Sequence, residues 1–382
     1  MKNLIDSIKH SKTLQHIIRM VLDPVNYLLK KKNRIVLYSN WGFRDNVAYL
    51  YKYLIDNNYN ENNEIICISN DFYDIDKNEI KNVSFKKSGF STLHYYLSSK
   101  YFFYCFGGIP VKPGKNQVVF NLWHGMPWKK IGLLDGDNNG RKLDYFTHIL
   151  SYSSFFTPII AQSFGVSEDK VVTSNAPRNE PFIGNNEIQE VEDKRTIAWL
   201  PTYRKSSKLS SKNGNSDNIL PLIADENQLA KLDRVAKAND TNIFIKLHPL
   251  QDVTEIKAEY SNIIFVDEQW LSKRKQGLYE FLATMDALIT DFSSISVDYL
   301  LLNRPIYYIL DDKESYQNSR GLNYTIDDFL AGAEVNTFEE LCDIFEDESD
   351  RFSDLRLRKL KEFYDYTDSG SKRILEIAGV KK

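Results

Sequence analysis

The densest chemistry-bearing stretch of the chain is Asn121 to Gly132, NLWHGMPWKKIG, in which an apolar run ends in a histidine bracketed by Trp123 and Gly125. Gly125 and Pro127 enforce a turn there. A histidine fixed at a strand edge can act as a general base near neutral pH, and Lys129 and Lys130 behind it offer charge to an anionic substrate. Two further runs, Ala176-Pro177-Arg178-Asn179 and Leu200-Pro201-Thr202-Tyr203-Arg204, each set a guanidinium just past a strand end. The planar fork of arginine suits phosphate or carboxylate. Lys246-Leu247-His248-Pro249 repeats the strand-to-histidine arrangement in the second half of the chain.

Thr290-Asp291-Phe292-Ser293-Ser294 joins an apolar strand to an amphipathic helix, whose first backbone N–H groups and dipole favour a phosphate, with the Ser293 and Ser294 hydroxyls as added donors. Asp368-Ser369-Gly370-Ser371-Lys372-Arg373 opens the last helix with a carboxylate, hydroxyls and two cations. Each motif also has an ordinary structural role. A lone histidine is commonly packed, a surface arginine solvated, and an Asp or Ser before a helix serves as its cap.

Placing these residues requires strands that end where they stand. Short apolar runs at Arg34–Ser39, Glu64–Ser69, Tyr101–Phe106, Gln117–Leu122 and Val171–Ser174 alternate with helical patterns. The pattern restarts after the acidic stretch Gly184–Lys194, with Thr196–Leu200, Asn242–Leu247, Ile263–Val266, Ala287–Thr290 and Pro305–Leu310. Such alternation predicts an α/β fold of two doubly wound domains with parallel sheets, facing a central cleft, and ligands beyond the carboxyl ends of the strands. The expected domains are 1–33, an amphipathic helical segment; 34–190; and 191–382. Lys205–Asn218, rich in Ser, Lys and Asn, reads as a surface loop or a lid.

The 382 residues suffice for two cores, and with 42% hydrophobic and 26% charged residues the composition excludes collagen-like, mucin-like and wholly disordered chains. Cys67, Cys105 and Cys342 lie far apart, so neither a zinc site nor a disulfide framework is written, and a reducing context fits. Asp74/Asp76 and Asp135/Asp137 have D-x-D spacing but read as solvated carboxylates, so no metal and no cofactor is expected. Residues 1–34 carry eight basic side chains against Asp6 and Asp23, which makes the remaining chain clearly acidic. Leu14, Ile17, Ile18, Val21, Leu22, Val25, Leu28 and Leu29 recur there at spacings of three and four, as one apolar helical stripe with basic flanks. The segment is too interrupted by charge and by Pro24 to cross a bilayer, and suits either an anionic membrane surface or docking on the first domain. Nucleic-acid binding is not expected from a net acidic body.

In order along the chain, these motifs resemble the CDP-glycerol glycerophosphotransferase family of teichoic acid primases and polymerases. The resemblance rests on W-H-G-x-P-x-K-x-I-G at Trp123–Gly132, P-R-N at Pro177–Asn179, P-T-Y-R at Pro201–Arg204, K-x-H-P at Lys246–Pro249, T-D-F-S-S at Thr290–Ser294 and D-x-x-S-K-R at Asp368–Arg373. Met126 and Phe292 are mild departures that remove no reactive group. The resemblance implies a GT-B-like pair of Rossmann domains at the cytoplasmic face of the membrane, with the acceptor on the first domain and the nucleotide donor on the second. It implies transfer of glycerol or ribitol phosphate from a CDP-alditol to a lipid-linked glycan of a teichoic acid or capsule. By that carry-over His124 is the general base and His248 lies against the donor diphosphate. Thr290, Asp291, Ser293, Ser294, Asp368, Ser371 and Arg373 would line the donor, with Arg178 and Arg204 as further cations and Lys129 and Lys130 toward the acceptor. Two other readings stay open: a sugar-nucleotide-dependent GT-B glycosyltransferase or epimerase, and a non-catalytic nucleotide-binding scaffold.

Overall fold

The apolar runs become parallel strands in the computed structural model, which describes residues 12–72, 75, 79–135, 143–183, 194–201, 219–246, 259–311, 313–347 and 349–382. The chain forms two compact units, one of Met1–His124, Ile131–Glu180 and Tyr364–Lys382, the other of Gly125–Lys130 and Pro181–Phe363. Arg204, His248, Lys205–Asn218, Asp74, Asp76 and Asp137 lie outside the described residues.

The first unit is built on a seven-stranded sheet of β1 (Lys32–Ser39), β2 (Glu64–Ser69), β3 (Val83–Lys87), β4 (Ser99–Phe106), β5 (Val118–Asn121), β6 (His148–Ser151) and β7 (Val171–Thr173). Their order is β3-β2-β1-β4-β5-β6-β7, and every pairing is parallel. A central parallel strand is covered on both faces, which is why β1 reads as a continuous apolar run and is buried from Arg34 to Ser39. The chain reverses its direction of travel between β1 and β4, so the crevice past their carboxyl ends is the expected ligand position.

Two helices of this unit bear on function. The first, α1 (Lys12–Leu28), continues through Pro24. Its apolar residues do not form the single stripe expected. Ile18 and Leu22 pack against the unit's core, and Asn26, one turn on, is buried. Ile17, Met20, Val21, Val25 and Leu28 make a second row that stays exposed. Asn26 donates from Nδ2 to the Lys112 carbonyl at 2.8 Å and to Gln117 Oε1 at 2.9 Å, while Lys31 Nζ donates to the carbonyls of Asn26 and Leu97 at 2.8 and 2.7 Å. Burial lowers the Lys31 ammonium to about 8. The helix is thus locked to the body by buried polar bonds as well as by aliphatic packing. Among the described residues, no helix is long and apolar enough to cross a membrane. The second helix, α2 (Asn46–Asp56), follows β1 and is capped by Asp45.

The second unit repeats the plan with β8 (Arg195–Trp199), β9 (Thr241–Lys246), β10 (Ile263–Val266), β11 (Ala287–Thr290), β12 (Ile306–Ile309) and β13 (Ala333–Val335), in the order β10-β9-β8-β11-β12-β13 and all parallel. Helix α3 (Glu226–Ala238) starts where Asp225 accepts the Gln228 N–H at 2.9 Å, and turns Leu229, Leu232 and Ala236 onto the sheet. The unit's core packs Ile197, Ile243, Ile245 and Ile289 with the aromatic Trp199, Phe338 and Phe345.

The units depart from the expected boundaries in two places. Tyr364–Lys382, expected with the second domain, belongs to the first, where Tyr364 stacks on Tyr152 at 5.0 Å and Arg373 Nε donates to the Thr173 carbonyl at 3.0 Å. Gly125–Lys130, expected with the first, belongs to the second. Trp128 there stacks on Phe329 at 4.4 Å, and Asn323 Nδ2 donates to the carbonyls of Pro127 and Lys129 at 3.1 and 2.7 Å. The Trp123–Gly132 motif is therefore shared, with His124 the last residue of its segment in the first unit.

Candidate active site

His124 stands one turn beyond β5. Asn121 Oδ1 accepts the Trp123 N–H at 3.0 Å, an Asx turn that bends the chain out of the sheet, and Trp123 follows in the left-handed region at φ 51°. The imidazole is held between two near-parallel rings, Trp123 at 3.9 Å and Phe106 of β4 at 4.6 Å between centroids. This packing strips water from the ring and lowers its pKa to about 4, with Arg178 adding to the fall while Asp45 and a backbone contact oppose it. At neutral pH the ring is uncharged and has a lone pair with which to take a proton.

The turn is fixed from below by Asn46. Its Nδ2 donates to the carbonyls of Leu122 and Trp123 at 3.0 and 2.9 Å, while its Oδ1 accepts the Arg178 backbone N–H at 3.1 Å. One fully buried amide therefore ties the histidine turn to the Pro177-Arg178-Asn179 turn. Arg178 is buried as well, with Nη1 3.1 Å from Asp45 Oδ2 and Nη2 donating to the Tyr152 hydroxyl at 3.3 Å. Asp45 caps α2 by accepting the Asn46 N–H at 2.7 Å, from φ 59° and ψ −152°. That conformation is essentially a glycine one and costs roughly 1–3 kcal/mol, so the pair with Arg178 and the cap over-determine it. Such stored strain is characteristic of sites where a group must be held in one place.

Asp45, Asn46 and Tyr152 were not singled out by sequence. An Asp before a helix reads as a cap, and nothing local marks it as the partner of an arginine far along the chain. Arg178, in turn, is not a solvated cation but a buried one, paired with Asp45.

In the second unit, Thr290 is buried and donates from Oγ1 to the Leu200 carbonyl at 3.0 Å, joining the ends of β11 and β8. Asp291 is buried beside it. Phe292 stacks on Tyr316 at 4.1 Å, and this packing turns Ser293 and Ser294 toward partial exposure. The Ser294 side chain makes no capping hydrogen bond with the short helix Ile295–Tyr299. Lys129 Nζ sits 5.2 Å over the Tyr316 ring, and Lys130 is exposed.

The C-terminal motif lies in the first unit, at the start of α4 (Gly370–Ala378). Glu180 Oε1 accepts from the Ser369 hydroxyl and the Ser371 N–H, each at 2.9 Å, so a carboxylate already sits on this helix end. Ser371 is fully buried, Asp368 is exposed, and the Arg373 guanidinium lies 3.4 Å over the Tyr366 ring. Nothing in the local sequence marks Glu180, whose partners are far along the chain. The structure thus groups His124 with Arg178 in one unit and Thr290, Asp291, Ser293, Ser294, Lys129 and Lys130 in the other, with Asp368, Ser371 and Arg373 on the first rather than the second.

A family model described as CDP-glycerol:poly(glycerophosphate) glycerophosphotransferase matches residues 22–377. The chain is 25% identical to the teichoic acid poly(ribitol-phosphate) polymerase of Bacillus spizizenii over 70% of its own length and 44% of that protein. It is 23% identical to the teichoic acid poly(glycerol phosphate) polymerase of the same organism, covering 97% of this chain and 98% of the other. The chain spans about half the length of most of the curated relatives it matches first. A solved structure of the wall teichoic acid polymerase TagF superposes with a TM-score of 0.68 at 18% identity, covering 99% of this chain and 95% of that one, which establishes the GT-B-like fold.

Proposed function

Because the chain belongs to the CDP-glycerol:poly(glycerophosphate) glycerophosphotransferase family, we propose that it transfers an alditol phosphate, glycerol or ribitol, from a CDP-alditol to a hydroxyl of a lipid-linked glycan, releasing CMP. The observation that supports this most is the neutral imidazole of His124, clamped between aromatic rings at a strand end by the Asp45–Asn46–Arg178 network. In the step proposed, the acceptor O–H gives its proton to the lone pair of His124 while its oxygen attacks the phosphorus bearing the alditol. The bond from that phosphorus to the bridging oxygen breaks in line, and CMP leaves with the electron pair. His124 then returns its proton to solvent. Ser293 and Ser294, with Thr290 and Asp291 fixing their strand end, are assigned to the donor phosphates of this scheme. Arg204 and His248 keep the donor roles that the family motif implies. Arg373 is assigned a donor cation, and Ser371, fully buried, gives its backbone N–H to Glu180.

The test is nucleotide release followed by mass spectrometry from CDP-glycerol, CDP-ribitol and sugar nucleotides, with and without a lipid-linked disaccharide. Acceptor-dependent CMP, with a product heavier by one or more alditol phosphates, is the expected result. Turnover of a sugar nucleotide alone would replace this reading with glycosyl transfer.

A lipid-linked acceptor would bring the protein to a membrane surface, and the outer row of α1 suits that interface. Ile17, Met20, Val21, Val25 and Leu28 are exposed on one side of a helix whose end is flanked by the exposed Lys30 and Lys32. Replacing Met20 and Val21 with glutamate is expected to abolish most sedimentation with anionic vesicles at unchanged Tm. Equal sedimentation of variant and wild type would remove α1 from membrane binding. Deleting residues 1–30 is not an equivalent test. It also removes the buried Asn26 and the Ile18 and Leu22 side chains packed on the core, so it lowers stability as well as membrane binding.

A further inference from the structure

Trp41 lies in the turn between β1 and α2, at the point where the strand order reverses. Of the five tryptophans it is the one classed as exposed, with 66% of its surface accessible. The rest of the turn is well held. Phe43 is buried against Phe72 and Tyr51, its N–H bonds the Asp71 carbonyl at 3.0 Å, and Gly42 at φ 88° packs so closely on Asp71 that a Cβ would stand 2.7 Å from Oδ1. An indole left in water on a rigid turn gives up the burial that usually makes tryptophan worth carrying.

Its ring is also oriented. Trp41 lies 10° from parallel to Phe106 with centroids 5.8 Å apart, and Phe106 lies 13° from parallel to His124 at 4.6 Å. The imidazole, the phenyl and the indole thus form one terrace along the carboxyl ends of β5, β4 and β1, with the indole as its exposed step. We propose that Trp41 is an acceptor subsite, a platform on which the apolar face of a pyranose ring of the glycan rests while its hydroxyl edge stays in water. This rests on the glycan-acceptor reading above. A sugar is favoured over the cytosine of the donor because the terrace continues directly to the base that would deprotonate the acceptor, and both belong to the same unit. With the Phe106 ring stacked on both the indole and the imidazole, a sugar on Trp41 lies beside the one whose hydroxyl reacts.

The experiment compares wild type, Trp41→Ala and Trp41→Phe on a short-chain prenyl-diphosphate-linked disaccharide, varying acceptor and CDP-glycerol separately. The expected result is a roughly three- to tenfold rise in acceptor KM for the alanine variant, the range set by loss of one aromatic contact. KM for CDP-glycerol should be unchanged and phenylalanine should restore part of the loss. An unchanged acceptor KM, or a rise confined to CDP-glycerol, overturns the proposal. Saturation-transfer NMR with the lipid-free disaccharide reads the subsite without turnover. Signal lost in Trp41→Ala supports it even if no CDP-alditol reacts, in which case only the transferase reading falls, and equal signal in both proteins overturns it.

Discussion

Replacing His124 with alanine is expected to lower kcat/KM by about 10²- to 10⁴-fold while the protein stays folded, because general-base assistance typically contributes that much. The side chain fills a slot between Trp123 and Phe106, so circular dichroism and Tm must be read alongside activity. The pH dependence gives an independent handle. Desolvation holds the free enzyme's imidazole at about 4, so the neutral, proton-accepting form persists well below the usual 6.5. The acid limb of kcat/KM assigned to this group is expected near pH 4, and that limb should be missing from the residual activity of the alanine variant. Donor binding brings negative charge, which favours the imidazolium, so the corresponding limb of kcat should lie higher. The same shift bears on stability. The folded value lies below the unfolded one, so as pH falls through 6.5 toward 4 the unfolded chain takes the proton first. Stability then drops by about 3 kcal/mol from this group. Intact folding with unchanged turnover in the alanine variant would take His124 out of the mechanism.

The second large effect is expected at Asn46. Alanine there leaves the carbonyls of Leu122 and Trp123 and the Arg178 N–H without their partner in a buried setting. At about 1–3 kcal/mol for a stranded buried group, a loss of about 3 kcal/mol in denaturant unfolding is a conservative expectation. Turnover should fall too, because the turn carrying the histidine is no longer pinned. Asn46 is a positioning residue, and the readout that separates this from simple destabilisation is the acid limb. It should move toward 6.5 in a still-folded Asn46→Ala protein as the imidazole gains water. A folded variant with the wild-type pH profile and wild-type kcat would show that the amide serves only the fold.

Much of this was legible in the sequence. Central parallel strands are buried on both faces, so β1, β2, β4, β5, β9 and β11 read as uninterrupted apolar runs. The strands that went unread were β3, whose VSFKK run lies at the sheet edge, the three-residue β13 at the opposite edge of its own sheet, and the four-residue β6. Edge position and brevity remove the signal. His124 announced itself through the Trp-His-Gly turn, but its supports did not. Asn46 and Asp45 meet Arg178 across separations of 132 and 133 residues, and no local spacing encodes such a pairing. Adjacency along the chain alone puts the last motif with the second domain. Glu180 and Tyr152 draw it to the first instead. The exposed row of α1 was visible as apolar periodicity, whereas its division into a docked and an open side depends on Asn26 and Lys31 finding partners on other segments.

The return of Tyr364–Lys382 to the unit in which the chain begins has a consequence for synthesis. Domains generally fold as units, the amino-terminal one first as it leaves the ribosome. Here the first unit stays unfinished until residues 364–373 have been translated, because Tyr152, Thr173 and Glu180 wait for Tyr364, Arg373 and Ser371. Those partners are absent throughout translation of the second unit, and a chain cut before residue 364 is compromised in the first unit rather than where the cut was made.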